Sequence, residues 1–546
     1  LSLGRTALER CHSQFGCASC DIDDRVRHEI APEVPDTYGS HAAGDGIDAS
    51  LASDHADKGQ SLRRSALLPV STSDEQPIRE PPVGTAEAIP PPNAELTTAL
   101  RLQDVIDSVY ASHPLLEAAF LSRLIADGEL LSSQGAFDLK LKGGGTSGPL
   151  GFYKTHRFGA GASQPLFSGG DIFGGYKIGR GNFQPWFGER ETDDGGEFSA
   201  GIAIPLAQNR QVDERRSARF RAAYGRDAVE PNIQTRTIAF IWEASYAYWQ
   251  WVAAGRNNQI SRSLLEIAQQ RSEGLTIRVD AGDLPRIELT DNQRLIVSRQ
   301  AALIDAERKL RQSAIKLSLF LRTVGGQPIV PARAQLPAAF PEAAQVAPEQ
   351  MDGDIQRALP NRPELQLLDF QRLQLEVDLA QARNLYLPAV DAVLFASKDT
   401  GRAASSKRDK TPFELEASLQ VSVPLQRRKA RGKIQLIEGK LRQLSAKIRF
   451  TQDKIATEVQ QVYAARSAAY DRIAKARESL ELAHTMEQAE RRKFELGDSN
   501  LLLVNLRELA TADAAKTVLQ AMLDYFRSQA DYRAAMALDV NPGVAK

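Results

Sequence analysis

Cys17-Ala18-Ser19-Cys20, with Cys11 and His12 upstream, has the spacing of half a metal site. A structural zinc site closes four ligands, and one Cys-x-x-Cys without a second does not supply them. The chain has three cysteines, all in this stretch, so no disulfide framework holds its body. Read as a lipid-anchor residue, Cys20 lacks the preceding apolar run that such a signal needs. The chain opens on Leu1 rather than Met, which leaves a preceding signal segment open. Gly159-Ala160-Gly161 lacks the third glycine of a dinucleotide fingerprint, and no Gly-Lys-Ser or Gly-Lys-Thr phosphate loop occurs. Five histidines, His12, His28, His41, His55 and His156, fall in tail or loop sequence, and His113 and His484 stand alone. No catalytic, metal-binding or cofactor constellation emerges, and the expectation is a protein that is not an enzyme.

The composition narrows the class further. Lys+Arg number 68 and Asp+Glu 69, a net charge of -1, which argues against nucleic acid as a partner because phosphate contacts need a clustered basic surplus. Mean hydropathy is -0.34, and no run approaches the ~18 apolar residues of a membrane-spanning helix. Composition alone therefore describes a soluble protein. Residues 1–95 are Ser-, Asp-, His- and Ala-rich and end in the proline clusters Pro81-Pro82 and Pro90-Pro91-Pro92. They read as a disordered or arm-like extension.

From Leu102 onward the chain repeats itself. Pro114-Leu115-Leu116-Glu117 is echoed by Pro363-Glu364-Leu365-Gln366, each after a short apolar helix. Ile202-Ala203-Ile204-Pro205-Leu206 matches Val421-Ser422-Val423-Pro424-Leu425, and Tyr248 to Asp283 aligns without a gap on Tyr463 to Asp498 at a constant shift of 215. The chain thus reads as one unit written twice. The first repeat covers 96–326, with strands at about 136–206, a Gly- and aromatic-rich insert at 151–196, a long helix over 206–281 and a return helix over 284–322. A linker follows at 327–350. The second repeat covers 351–540, with strands at about 386–424, a long helix over 425–496 and a return helix over 499–537; a tail of 541–546 closes the chain.

The strand expectation rests on period two. From Phe413 to Val423 every odd position is apolar and every even one polar, and Phe198, Ala200, Ile202 and Ile204 alternate likewise. The insert, where Phe158 to Gly170 loosely repeats the strand-Pro-Leu pattern, suggests a long hairpin loop or an extra strand segment. The helices are long: 206–281 would span about 115 Å at the helical rise. Leu289, Ile296, Leu303, Leu310 and Leu317 form a seven-residue ladder, the seam of a left-handed coiled coil. About four strands per chain cannot close a sheet, and open alternating edges invite other chains. Strands of this length also suit a tilted membrane crossing, so two chains would give eight strands and three twelve.

His113-Pro114, Arg362-Pro363, Tyr386-Leu387-Pro388, the strand ends at Pro205 and Pro424, Tyr248-Trp249 and the paired Gly-Asp turns together resemble the TolC-like outer-membrane efflux and secretion channels, over about Leu102 to Leu538. The fold class this implies is mainly α with a membrane β-barrel: a homotrimer whose twelve-stranded barrel continues into a long periplasmic α-helical barrel. The implied function is the exit duct of a tripartite efflux or type I secretion system in the outer membrane, extending into the periplasm. Its partners would be a periplasmic adaptor, an inner-membrane pump and outer-membrane lipid, and conduction would be passive and gated at the periplasmic tip. The resemblance maps adaptor docking onto Gly282, Asp283, Gly497 and Asp498. Channels of the family often carry carboxylates six and nine residues past the second-repeat glycine; Leu503 and Leu506 stand there instead, suggesting a hydrophobic constriction that gates by dewetting. The equivalent first-repeat positions, Glu288 and Asp291, would supply charge near the entrance. Packing between helices for the leucines and solvated faces for the acids stay open as alternatives. The aromatic cluster from Phe240 to Trp251 reads as helix packing, and Phe152, Tyr153, Phe158, Phe167 and Tyr176 as interfacial aromatics. The rival class is a soluble or periplasmic coiled-coil adaptor or scaffold. The exported substrate and the role of the first 95 residues stay undetermined.

Overall fold

Proline placement sets the first elements. Helix α1 (Leu102–Ser112) stops at His113, and α2 (Pro114–Gln134) starts on a proline whose fixed φ and missing N–H suit a first helical turn. Strands β1 (Lys140–Gly148), β2 (Thr155–Pro165), β3 (Asp171–Gly181) and β4 (Glu197–Pro205) follow, then α3 (Glu214–Asp227), α4 (Val229–Asp280) and α5 (Arg286–Leu317). The proline device recurs between α6 (Met351–Asn361) and α7 (Pro363–Asn384), and β5 (Ala389–Asp399), β6 (Phe413–Ser422), α8 (Arg428–Leu496) and α9 (Leu501–Ala535) complete the order. This computed structural model describes residues 99–183, 192–345, 347–403 and 413–539. The expected 1–95 extension, its Cys-x-x-Cys and the 541–546 tail lie outside the described residues.

The long helix expected over 206–281 begins instead at Glu214, because the chain turns after Pro205 and Asp213 caps the helix by accepting the Arg216 N–H at 2.8 Å. It is also interrupted at Ala228. Pro231 has no N–H to offer the Asp227 carbonyl one turn back, which opens the ladder there. Its counterpart expected over 425–496 runs unbroken for 69 residues from Arg428. The return helices are shorter than expected, 286–317 and 501–535. No helix among the described residues is long and apolar enough to cross a membrane.

The sheet departs from expectation in strand number. Six strands, not about four, pair antiparallel in chain order from β1 to β6. The 151–196 insert supplies the surplus: β2 and β3 are full strands of 11 residues each, joined by a turn at Leu166–Gly170. Glycine hid them, since Gly159 and Gly161 in β2 and Gly174, Gly175 and Gly179 in β3 leave little hydropathy contrast. The register makes those glycines necessary: a Cβ on Gly161 would sit 2.8 Å from the Gly174 carbonyl oxygen, and one on Gly175 equally close to that of Ala160. Pairing places Leu141, Ala162, Gly174, Ala200, Ala396 and Leu415 on one rung of one face. The adjacent rung, on the opposite face, reads Lys142, Gly161, Gly175, Ser199, Ser397 and Glu414. The apolar face leaves Leu141, Phe158, Ile172, Phe198, Leu394, Leu415 and Leu419 exposed.

Helix packing is organised by the aromatic cluster. Trp251 is completely buried, and Trp249, Phe526 of α9 and Phe340 stack mutually, with ring centroids 4.3 Å (Trp249–Phe526), 5.5 Å (Trp249–Phe340) and 5.6 Å (Phe340–Phe526) apart. Phe340 belongs to the 327–350 linker, which is a strap clipped down where the Tyr525 hydroxyl bonds both the carbonyl and the N–H of Ala344. The Asp531 carboxylate receives hydrogen bonds from the Trp242 indole (2.6 Å) and the Tyr246 hydroxyl (2.9 Å), tying α4 to α9. The ladder on α5 does face its neighbour: Leu317 is fully buried and Leu289, Ile296, Leu303 and Leu310 are half-buried. His113 is packed between Phe240 (4.6 Å) and Phe320 (5.8 Å). Burial, and secondarily the charge of Arg322, pushes its pKa below the ordinary 6.5. Unfolded chain therefore takes up a proton that the folded chain refuses. The contribution of His113 is complete above pH 6.5 and is lost as pH falls from there towards the folded value. Comparing urea midpoints at pH 7.5 and 5.5, the acid-side loss should be smaller in His113→Phe than in the parent; equal losses would rule this out.

Candidate functional site

Two helix turns close the α4–α5 and α8–α9 hairpins. Gly282 and Gly497 adopt φ of 81° and 85°, the left-handed region where a Cβ is strained. In each, the following aspartate N–H reaches back five residues, Asp283 to the Arg278 carbonyl and Asp498 to that of Lys493, both at 2.9 Å. Asp283 and Asp498 are exposed. The second turn is better capped: the Asn500 side chain accepts the Leu503 N–H at 3.0 Å and the Ser499 hydroxyl bonds Glu490. Arg278 lies 5.5 Å over the Phe494 ring, joining the two hairpins just before their turns.

The four expected pore residues divide between two helices, Glu288 and Asp291 on α5 and Leu503 and Leu506 on α9. Leu503 (40% exposed) and Leu506 (56%) lie on the open side of α9, in a leucine-rich surface continued by Leu502 and Leu509, while Leu501 and Val504 are buried inside the hairpin. This surface is contiguous because positions three and four apart share a helix face. Glu288 sits half-exposed in the first turn of α5, where a carboxylate is favoured by the helix dipole. Asp291 is already engaged by the Arg294 guanidinium at 3.0 Å.

A larger feature near the tip was not expected from the sequence. The Glu508 carboxylate on α9 has no exposed surface and is bonded by Arg271 of α4, by Arg299 of α5 at 2.9 Å and by Arg491 of α8 at 3.2 Å. All four helices of the two hairpins thus converge on one carboxylate. Arg271 also donates to Asn505, Arg299 to the Leu264 carbonyl, and Arg491 to Glu487 at 2.9 Å. Burial pushes the Arg271 guanidinium below its ordinary pKa, and the adjacent Glu508 charge pulls it partly back. The signal was present on α5: Asn292, Arg299, Ala306 and Ser313 form a second seven-residue row, entirely buried. An arginine in a coiled-coil seam requires a buried acid opposite it, but periodicity alone does not say which one.

Removing one partner from such a cluster leaves uncompensated buried charge, a loss of about 3–5 kcal/mol. Glu508→Gln keeps the shape and should sharply increase amide exchange in the lower halves of α4, α5, α8 and α9 while leaving the sheet unchanged. Asp291→Asn, which removes an exposed pair worth about 0–1 kcal/mol, serves as the control. Equal exchange in both variants would contradict a supporting role for Glu508.

Residues 355–537 match the family model described as outer membrane efflux protein. No curated protein sequence matches the chain. Among solved structures, the open state of the Neisseria gonorrhoeae MtrE outer membrane channel is similar at 16% identity, with a TM-score of 0.57 over 80% of this chain and 89% of that one. The Vibrio cholerae outer membrane protein VceC is similar at 14% identity, TM-score 0.57, over 80% and 96%. The Campylobacter jejuni CmeC outer membrane channel is similar at 13%, TM-score 0.55, over 80% and 85%. Residues 355–537 are thus similar to the outer membrane efflux protein family, and the fold over 80% of the chain is that of these outer-membrane channels.

Proposed function

We propose that the chain is the outer-membrane exit duct of a tripartite efflux or type I secretion assembly, a homotrimer that conducts passively and is gated at its helical tips. The observation that carries this reading is the sheet. Among the described residues it has one largely apolar face, one largely polar face and two edge strands, β1 and β6. Lipid outside and water inside would satisfy both faces, and copies of the chain would satisfy the edges. The long hairpins then extend the duct on the periplasmic side. The same order of elements occurring twice, with Gly282 and Gly497 in the same turn conformation, supports the duplicated unit.

Gly282, Asp283, Gly497 and Asp498 present exposed backbone and carboxylates at the far end, the surface offered to a periplasmic adaptor that links the duct to an inner-membrane pump. The Leu502, Leu503, Leu506 and Leu509 surface favours a dewetting constriction over a charged one, with Glu288 and Asp291 outside it. A soluble coiled-coil adaptor has no use for an amphipathic sheet of this extent, which is why the duct is preferred.

Outer-membrane fractionation and cross-linking to a trimer test the assembly; a monomer in the soluble fraction without detergent would overturn it. In planar bilayers, Leu503→Asp should raise the closed-state current and shift selectivity towards cations. Unchanged current and selectivity would remove Leu503 from the constriction.

A further inference from the structure

The hairpin of β2 and β3 alters the size of the duct. Both strands have the 11-residue length of a tilted membrane crossing. They are inserted in register between β1 and β4, not appended at an edge. Their sides follow the rest of the sheet: Phe158, Ala160 and Ala162 share the apolar face, and Arg157, Ser163 and Lys177 the polar one. The turn between them is anchored at the helical end, where Phe167 packs on Phe137 (5.4 Å) and Arg219 lies 4.8 Å over its ring. The hairpin therefore runs the full height of the sheet. A hollow of about 730 Å³ lies along this part of the sheet, bordered by Lys140, Lys142, Lys177 and Arg215. Lys140, Lys142 and Lys177 stand on the polar side, the side a water-filled lumen would take.

We propose that three copies close an eighteen-stranded barrel, with the β2–β3 hairpin as part of the transmembrane wall, by pairing β6 of each copy with β1 of the next. This rests on the exit-duct reading above. Six is an even number, so a meander that starts upward at β1 ends downward at β6 and meets the next copy antiparallel. The two edges also differ in charge on the lumen side: Lys140 and Lys142 on β1, Glu414 and Glu416 on β6. Like edges repel and unlike edges attract, which favours β6 on β1 over β1 on β1. Because barrel diameter grows roughly linearly with strand number, the outlet is roughly one and a half times as wide as four strands per chain would make it. Strand counts of 16–18 leave an open aqueous channel. The membrane end then passes large hydrated solutes and extended polypeptide, and selection by size falls to the helical tips.

The test starts from the full chain with Cys11, Cys17 and Cys20 changed to Ser. Ser418→Cys in β6 is combined in turn with Lys142→Cys, Gly144→Cys or Thr146→Cys in β1, and in a second panel with Asp171→Cys, Phe173→Cys or Lys177→Cys in β3. Oxidation of isolated outer membranes should give covalent dimers and trimers from the β1 panel and none from the β3 panel. Cross-links from β3 would mean that β1 and β2 lie outside the wall, a twelve-stranded barrel; that overturns the inference and leaves the exit duct intact. No cross-link in either panel overturns it as well. A second readout is labelling by a membrane-impermeant maleimide. Ser163→Cys should react in intact trimers, and Ala162→Cys should react only after detergent denaturation. Equal labelling puts the hairpin in solvent and overturns the inference, whereas failure of the protein to reach the outer membrane as a trimer overturns the duct itself.

Discussion

On the exit-duct reading, backbone hydrogen bonds that have no water to turn to dictate this molecule. A β-strand in hydrocarbon must pair on both edges, because each unsatisfied N–H or C=O costs several kcal/mol there. The six-strand meander satisfies its interior strands and leaves β1 and β6 half-paired. On the exit-duct reading that debt calls for further copies, and it accounts for the alternation of apolar and polar rungs. The helices have no such deficit, since their bonds are internal, and their charge-rich surfaces account for the mean hydropathy of -0.34.

At the other end the governing interaction is electrostatic. A coiled-coil hairpin sealed wholly by leucine would be stable but indifferent to the hairpin beside it. Glu508 instead makes the two hairpins interdependent, because Arg271 and Arg299 belong to one and Arg491 to the other. A buried ion pair gives little net stability over a well-packed apolar contact, yet it is costly to break. Such a contact fixes one arrangement of four helices sharply while leaving the exposed turns at Gly282 and Gly497 free for a partner.

The legible parts of the sequence were those with strong local signals. His113-Pro114 and Arg362-Pro363 fixed helix starts, the alternation from Phe413 to Val423 fixed β6, and Gly282 and Gly497 fixed the turns. The β2–β3 hairpin was seen as an insert and not as two strands, because Gly159, Gly161, Gly174 and Gly175 erase the hydropathy contrast on which period two depends. The late start of α3 was set by Asp213, a cap distinguishable from other aspartates only by its Arg216 N–H bond. Glu508 was illegible for a different reason. Two of its three arginine partners come from positions 209 and 237 residues away, and long-range pairing of charges leaves no periodic trace.

The interruption at Ala228 shows how the two ends are reconciled. α3, above it, carries the contacts to the inserted hairpin: Arg219 over Phe167, Phe220 beside the same ring at 6.4 Å, and Arg215 on Asp171 at 2.9 Å. α4, below it, carries Ile241, Tyr248, Trp249 and Trp251 in the helical core. A continuous helix would force any adjustment to the hairpin onto that core, since a helix transmits orientation along its length. Pro231 removes one rung of the ladder, so α3 can follow the wider sheet while α4 keeps its register against α9. The second long helix supports this account by contrast. α8 follows a sheet segment without an inserted hairpin, β5 and β6, and it runs unbroken for 69 residues.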